Sequence, residues 1–480
     1  MSHRFRFAIL SVIVLLFAAR NLPWNLDDYD QAKQAWTSYE IVRHGHWWFQ
    51  HTPQDAAASK PPLAGWCSVV FYWLLGGWWD GAWRLPSFLC ALLMLWLLFR
   101  DGSRVDPQWG GMLAAGAFGL TMMTPRLATL VRTDMMLAFW IFLAGRMIWQ
   151  HVRDARAWTR RERWCFCAVI LASMFTKGPA ACLFVLPGLA FMKWHHLRTH
   201  AAGCFWPGWW PWLLPLAVMA AWAGAGCVAD AQFYQQVVLK EFLGRVTGGH
   251  KSQPVWFYAT HLLHKFAPWS VLLLVLMGAR RVRDALKADP SLLWLAAWIA
   301  GGFVVMSLIP SKRPDRIFPV IAPLCLLLPA LLARWGAAQA GGKWPPVRCA
   351  RLCLLIAAVS QAGYAAFTVG SAYRADEAAL VRFCSRVRDE AARLHVEFGV
   401  CDALDEGIII YAGKDGFIPA TKAVAAFGNG SMPALILPEK LLNRRKDQLG
   451  ALRVLDRVPR LPATADGYVF AIRAPERRGP

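Results

Sequence analysis

Three carboxylates and a lysine bracket one polar loop of the chain. Asp27-Asp28-Tyr29-Asp30 opens it, and Lys60-Pro61-Pro62 closes it. A carboxylate held there can take a proton from a nucleophile, and a lysine can neutralise an anion. Further cations recur downstream: Arg126 and Arg132; Lys177; Lys240, Arg245, Lys251 and Lys265; and Lys312, Arg313 and Arg316. Each lies in a short loop or beside an apolar stretch. Cations gathered from several loops onto one face suit an anionic ligand such as a lipid phosphate. The plainer alternative is that some pair with Asp134, Glu241 or Asp315, or extend to lipid headgroups.

The elements that must carry these residues are mostly apolar. Of 480 residues, 57% are hydrophobic and 27 are Trp, too apolar for an ordinary soluble chain with such long runs. Runs near 7–19, 83–99, 109–124, 134–149, 164–176, 179–192, 209–229, 267–279, 291–309, 317–333 and 351–369 give about eleven spans, the short ones borrowing Trp or Arg at the interface. The first run resembles a secretory signal, but no small-x-small cleavage site precedes Arg20, so it reads as a retained span. Residues 63–79 read as an interfacial or re-entrant helix, because Gly76-Gly77 and Asp80 crowd its end.

Charge fixes the expected orientation. With the N-terminus inside, every second loop is basic: Arg153, Arg156, Arg160, Arg161 and Arg163; then Arg280, Arg281, Arg283 and Lys287; then Arg334, Lys343, Arg348 and Arg351. The net charge of +22 therefore reads as membrane anchoring, and no basic run interleaved with aromatics points to nucleic acid. The first outer loop covers 24–62, within a membrane domain of residues 1–372.

After residue 372 the chain turns polar. A helix near 375–395, strands at 396–402, 407–412, 433–437 and 467–473, and a helix carrying Glu439, Lys440 and Arg444 describe a small α/β domain over 373–480, outside the membrane. It holds no glycine-rich phosphate loop, nucleophile elbow or metal-ligand spacing. The cysteines mostly sit in apolar stretches, where Cys behaves as a small hydrophobe. Only Cys384 and Cys401 could pair in the outer domain, and the reading leans against a disulfide.

Taken together, the loops form a pattern. Asp30-Gln31-Ala32-Lys33-Gln34-Ala35, Gly45-His46-Trp47 and Ser59-Lys60-Pro61-Pro62-Leu63 are followed by Arg132-Thr133-Asp134-Met135 and Thr176-Lys177-Gly178-Pro179. Then come Glu241, Arg245, His250, Pro254-Val255-Trp256-Phe257-Tyr258 and Pro268-Trp269, and Ser311-Lys312 through Pro319. In this order they resemble the bacterial branch of the GT-C glycosyltransferases, which includes protein O-mannosyltransferases and the aminoarabinose transferase of lipid A. The resemblance runs over residues 20–335; each motif is weak alone and the collinear set is specific. Departures are Gln31 for a second acid, His46 for the Asp of G-D-W, Ser59 for the Glu before the lysine, and Phe318 where Tyr is common.

The resemblance implies a polytopic α-helical GT-C membrane protein with a small C-terminal α/β extramembrane domain, in a bacterial inner membrane. Its donor would be a sugar on a polyprenyl phosphate, its acceptor a lipid or glycan, and transfer would invert the anomeric centre. Asp30 would be the base, with Asp28 as the alternative by register. Lys60, Arg132, Lys312 and Arg316 would hold the departing phosphate, with Asp134, Lys177, Arg245 and His250 also at the donor. Asp134 equally suits a structural role, tying Arg132 or the start of its span in place. No cofactor is demanded, though a divalent cation on Asp30 and Asp134 is compatible. A protein Ser/Thr acceptor is the runner-up. A lipid or solute transporter is disfavoured, because the apolar runs are almost free of charge between their ends.

Overall fold

The structure is a computed structural model that describes residues 1–26, 29–199, 205–243, 252–337, 345–461 and 464–473. The chain falls into two compact units. One comprises Met1–Arg20, Ser59–Ala64 and Arg84–Ala366; the other Asn21–Ala58, Gly65–Trp83 and Phe367–Pro480.

The first unit is helical. Among the described residues of the whole chain, the helical segments long and apolar enough to cross a membrane are Trp79–Val105, Asp134–Arg153, Trp210–Ala229, Pro290–Leu308, Pro314–Ala337 and Pro346–Leu394. A pair bent by 106°, Phe257–Lys265 and Trp269–Gly278, adds a seventh if it counts as one span. Other apolar runs form helices that are shorter or less uniformly apolar. Gly110–Gly119, within the run expected at 109–124, has only 10 residues and is buried throughout. The expected interfacial segment is helix Leu63–Leu74, which stops before Gly76 and Gly77, both at positive φ.

Helix Pro290–Leu308 packs on Ala180–Thr199 through small residues. A Cβ on Gly301 would stand 2.9 Å from the Gly188 backbone nitrogen, so the two backbones approach as only glycine permits. Trp294 donates to the Gly145 carbonyl at 3.0 Å, joining the same helix to Asp134–Arg153. On that helix Arg146 forms a two-pronged pair with Asp101, whose side chain is fully buried, and Arg104 lies 3.6 Å from the same carboxylate. Arg146 is a charge inside a run that reads as apolar in the sequence.

The second unit joins the polar loop of 21–58 to the C-terminal region. The Leu26 amide donates to the Tyr411 hydroxyl at 2.7 Å, and the Phe417 amide to the Pro53 carbonyl at 3.0 Å. Its sheet has strands β1 (Phe398–Val400), β2 (Ala434–Pro438), β3 (Leu452–Val458) and β4 (Tyr468–Arg473), ordered β1-β2-β4-β3. β1 runs parallel to β2; β4 is antiparallel to both its neighbours. Helix Ala379–Leu394 buries Leu380, Phe383, Cys384, Val387 and Ala391, an apolar stripe at helical spacing. Cys384 and Cys401 are both buried free thiols.

Three local expectations change here. Residues 407–412 form a helix, Gly407–Ala412, and not a strand. Its Ile408, Ile409 and Ile410 are all buried, so packing overrides the strand preference of the β-branched run. Strand β3 and helix Ala420–Gly428 were not expected at all.

Candidate functional site

Local chemistry sets each charged residue of the first unit in place. Lys60 precedes Pro61-Pro62, and a residue before proline is kept extended, so Lys60 stays out of helix Leu63–Leu74. Lys177 is the last residue of helix Arg160–Lys177. A capping box of Thr159 and Glu162 starts that helix, and Gly178 ends it at φ 72°. Pro179 then leads into Ala180–Thr199, which gives the sharp turn expected of Thr176-Lys177-Gly178-Pro179. Asp134 is the first residue of Asp134–Arg153. Arg316 sits in the short 3-10 helix Pro314–Val320 and donates to the Ser311 carbonyl at 2.5 Å and hydroxyl at 3.1 Å.

These residues meet at a cavity of about 440 Å³. Its polar lining includes Lys60, Asp134, Lys177, Asp315 and Arg316; its apolar lining includes Leu137, Leu183, Phe184, Met306, Ile309 and Pro319. Lys177 Nζ lies 2.5 Å from Asp134 Oδ1. Lys177, Lys60 and Arg132, in that order, are the cations whose charge bears on the Asp134 carboxylate. Arg132 itself is buried and donates to Asp315 Oδ2 at 3.0 Å, so Asp134 ties Lys177, and Asp315 ties Arg132. Three lining cations against two carboxylates leave the cavity with an excess of positive charge. It offers an anion-binding end and a greasy wall together.

Other candidates lie elsewhere. Lys312 is buried, and its ammonium donates to the Gln253 carbonyl at 3.0 Å, beside a small antiparallel bridge between Ser252 and Ser311. Burial lowers its pKa from the usual lysine value. Asp30, half-buried in the first turn of helix Tyr29–His44, belongs to the second unit. Asp28, Arg245 and His250 lie outside the described residues. Phe318 is buried against Phe118, an apolar setting that explains why a phenyl ring suits the position.

In the sequence Asp315 reads only as a pairing partner, and the apolar wall does not show. The spacing of Asp315 and Arg316 after Lys312 carried a signal for the first. The wall comes from several separate elements, and no local pattern announces it.

No protein-family model matches the chain. It is 26% identical over 328 residues to the undecaprenyl phosphate-alpha-4-amino-4-deoxy-L-arabinose arabinosyl transferase 2 of Sodalis glossinidius, covering 65% of this chain and 56% of that protein. It is 28% identical over 310 residues to the arabinosyl transferase of the same name from Pseudomonas aeruginosa strain LESB58, covering 62% and 54%. The chain thus spans little more than half the length of these curated relatives. Among solved structures, ArnT from Cupriavidus metallidurans bound to undecaprenyl phosphate matches with a TM-score of 0.75 at 19% identity, over 100% of both chains. The Archaeoglobus fulgidus oligosaccharyltransferase matches with a TM-score of 0.53 at 12% identity, over 97% of this chain and 74% of that one.

Proposed function

We propose that this chain, a membrane protein with the GT-C fold of ArnT, transfers a sugar from a polyprenyl-phosphate donor to a lipid or glycan acceptor. The observation that carries the reading is the cavity. Lys60, Lys177 and Arg316 suit a phosphate, and the wall of Leu137, Leu183, Phe184, Met306 and Ile309 suits the start of a prenyl chain. The names of the sequence relatives favour undecaprenyl phosphate as the carrier.

In the proposed reaction an acceptor hydroxyl attacks the anomeric carbon. The new carbon–oxygen bond forms as the bond to the phosphate oxygen breaks, with inversion. Asp30 takes the acceptor proton as general base, a role assigned from its motif. Polyprenyl phosphate leaves with the bonding electron pair, and Lys60, Lys177 and Arg316 stabilise the charge that develops on it. Arg132 acts through Asp315, holding that carboxylate in place at the cavity. Residues 1–372 form the transferase domain in this reading and 373–480 a periplasmic α/β domain. The N-terminus is cytoplasmic and the membrane is a bacterial inner membrane, supported by the basic loops at alternate boundaries.

The test is release of free polyprenyl phosphate, followed by mass spectrometry, from protein in nanodiscs given undecaprenyl-phosphate sugars and an envelope extract as acceptor. Wild type should release it, and Asp30→Asn should abolish release while keeping the thermal transition. Lys60→Ala should weaken use of the donor more than that of the acceptor. No release from folded wild-type protein with any donor overturns the reading; normal turnover by Asp30→Asn moves the base to another carboxylate.

A further inference from the structure

Away from the cavity, two imidazoles and a buried carboxylate converge in the second unit. Glu40, on the last turns of helix Tyr29–His44, has a side chain only 4% exposed. Its Oε1 lies 2.8 Å from His46 Nδ1 and 3.1 Å from His51 Nδ1. Its Oε2 accepts the His51 backbone N–H at 2.5 Å, which fixes the plane of the carboxylate. One ligand atom from each of the three residues falls within 4.8 Å of the others. We propose that Glu40, His46 and His51 form a binding site for a divalent transition-metal ion, with Zn²⁺ the best fit.

Local geometry explains how the three meet. The helix ends at His44, and Gly45 at φ 74° reverses the chain, so His46 folds back towards Glu40 six residues earlier. An isolated bridge between His51 and Ala57 anchors the other side of the loop. The rings of His46 and His51 stand edge to face at 5.2 Å. Tetrahedral zinc with bonds of about 2.0–2.1 Å places its ligand atoms about 3.3 Å apart. The two separations from Oε1, 2.8 and 3.1 Å, need to open by only a few tenths of an ångström, and the three ligand atoms lie within 4.8 Å of one another. His46, with a side chain 47% exposed, has the freedom to make that shift.

The donor set selects the ion. Two imidazole nitrogens with one carboxylate oxygen suit Zn²⁺, Ni²⁺ or Cu²⁺, whereas Mg²⁺ and Ca²⁺ prefer all-oxygen shells. Each imidazole would keep its proton on Nε2 and present the Nδ1 lone pair. The bond from the His51 amide to Oε2 is the outer contact that orients the carboxylate. Three protein ligands leave a fourth position for water on the exposed side of His46. The same three residues could instead form only a hydrogen-bonded clasp for the loop, and metal binding separates the two. The site does not rest on the transferase reading.

The experiment uses full-length, tag-free protein in detergent, with Zn²⁺ titrated against a chromophoric chelator and Co²⁺ as an optical probe. The expected result is one tight Zn²⁺ per chain, a visible Co²⁺ band of a low-coordinate N/O site, and no competition by Mg²⁺. His46→Gln and His51→Gln should each weaken Zn²⁺ binding at least tenfold and remove the Co²⁺ band, with an unchanged thermal transition in the metal-free protein. Absence of Zn²⁺ binding by the wild type overturns the site. So does binding that both variants retain at full strength, which would put the ion elsewhere.

Discussion

The two ends of helix Asp134–Arg153 carry the same kind of contact in opposite settings. About two turns before its C-terminal end, Arg146 grips Asp101 with two nitrogens, and the carboxylate is sealed from solvent. At its start, Asp134 meets Lys177 through one oxygen, and both line a cavity. The sealed pair has no room for a ligand and acts as a brace. The open pair holds a lysine by a single contact, beside a cavity with room for another anion. Burial alone does not separate the two pairs; access and the shape of the cation do.

The largest expected effect tests the brace. Arg146→Met leaves Asp101 as a buried charge with Arg104 as its remaining ion-pair partner among the described residues, which should cost about 3–5 kcal/mol of stability, at the lower end if Arg104 moves in. Thermal unfolding in detergent reads this, and Asp101→Asn added to Arg146→Met should recover most of the loss. A transition unchanged by Arg146→Met would end the distinction between the two pairs.

The open pair should fail differently. Lys177→Met should lower kcat/KM for the proposed polyprenyl-phosphate donor about 10- to 100-fold, or about 1.4–2.7 kcal/mol, with a smaller loss of stability than Arg146→Met. Turnover against donor concentration checks it, and an unchanged kcat/KM would make the cavity pair structural as well. A smaller effect belongs to Arg132→Lys, which keeps the charge but loses the rigid fork towards Asp315. We expect a loss of about 0.5–1.5 kcal/mol, seen as a lower thermal transition or weaker donor use. If Arg132→Lys costs more than Lys177→Met, the contact that matters at this end is Arg132–Asp315.

The open end was more legible than the sealed one. Thr176-Lys177-Gly178-Pro179 announces its own turn, because glycine accepts the positive φ at the helix end and proline cannot prolong the helix. Lys60, Asp134 and Arg316 stand out as charges beside apolar runs, and the structure lines one cavity with them. Arg146 was missed because one arginine within a long apolar run hardly changes its average, and its partner Asp101 lies 45 residues away. Strand β3 was missed because Leu452–Val458 intersperses Arg and Asp with aliphatics and reads as polar surface. Helix Gly407–Ala412 was misread because three isoleucines favour a strand until tertiary packing decides. The Glu40–His46–His51 cluster depends on a turn after a helix end, and spacing alone does not reveal it.

The Asp134–Lys177 bond also joins the beginning of one helix to the end of another. The N-terminus of Asp134–Arg153 carries a partial positive charge, and the C-terminus of Arg160–Lys177 a partial negative one. Each side chain therefore rests against a helix end of opposite sign as well as against its partner. If a phosphate draws Lys177 away, Asp134 still sits at the positive end of its own helix. On the proposed reading, lending the cation to a substrate would not strand the anion, and the helix ends serve as a local electrical reserve.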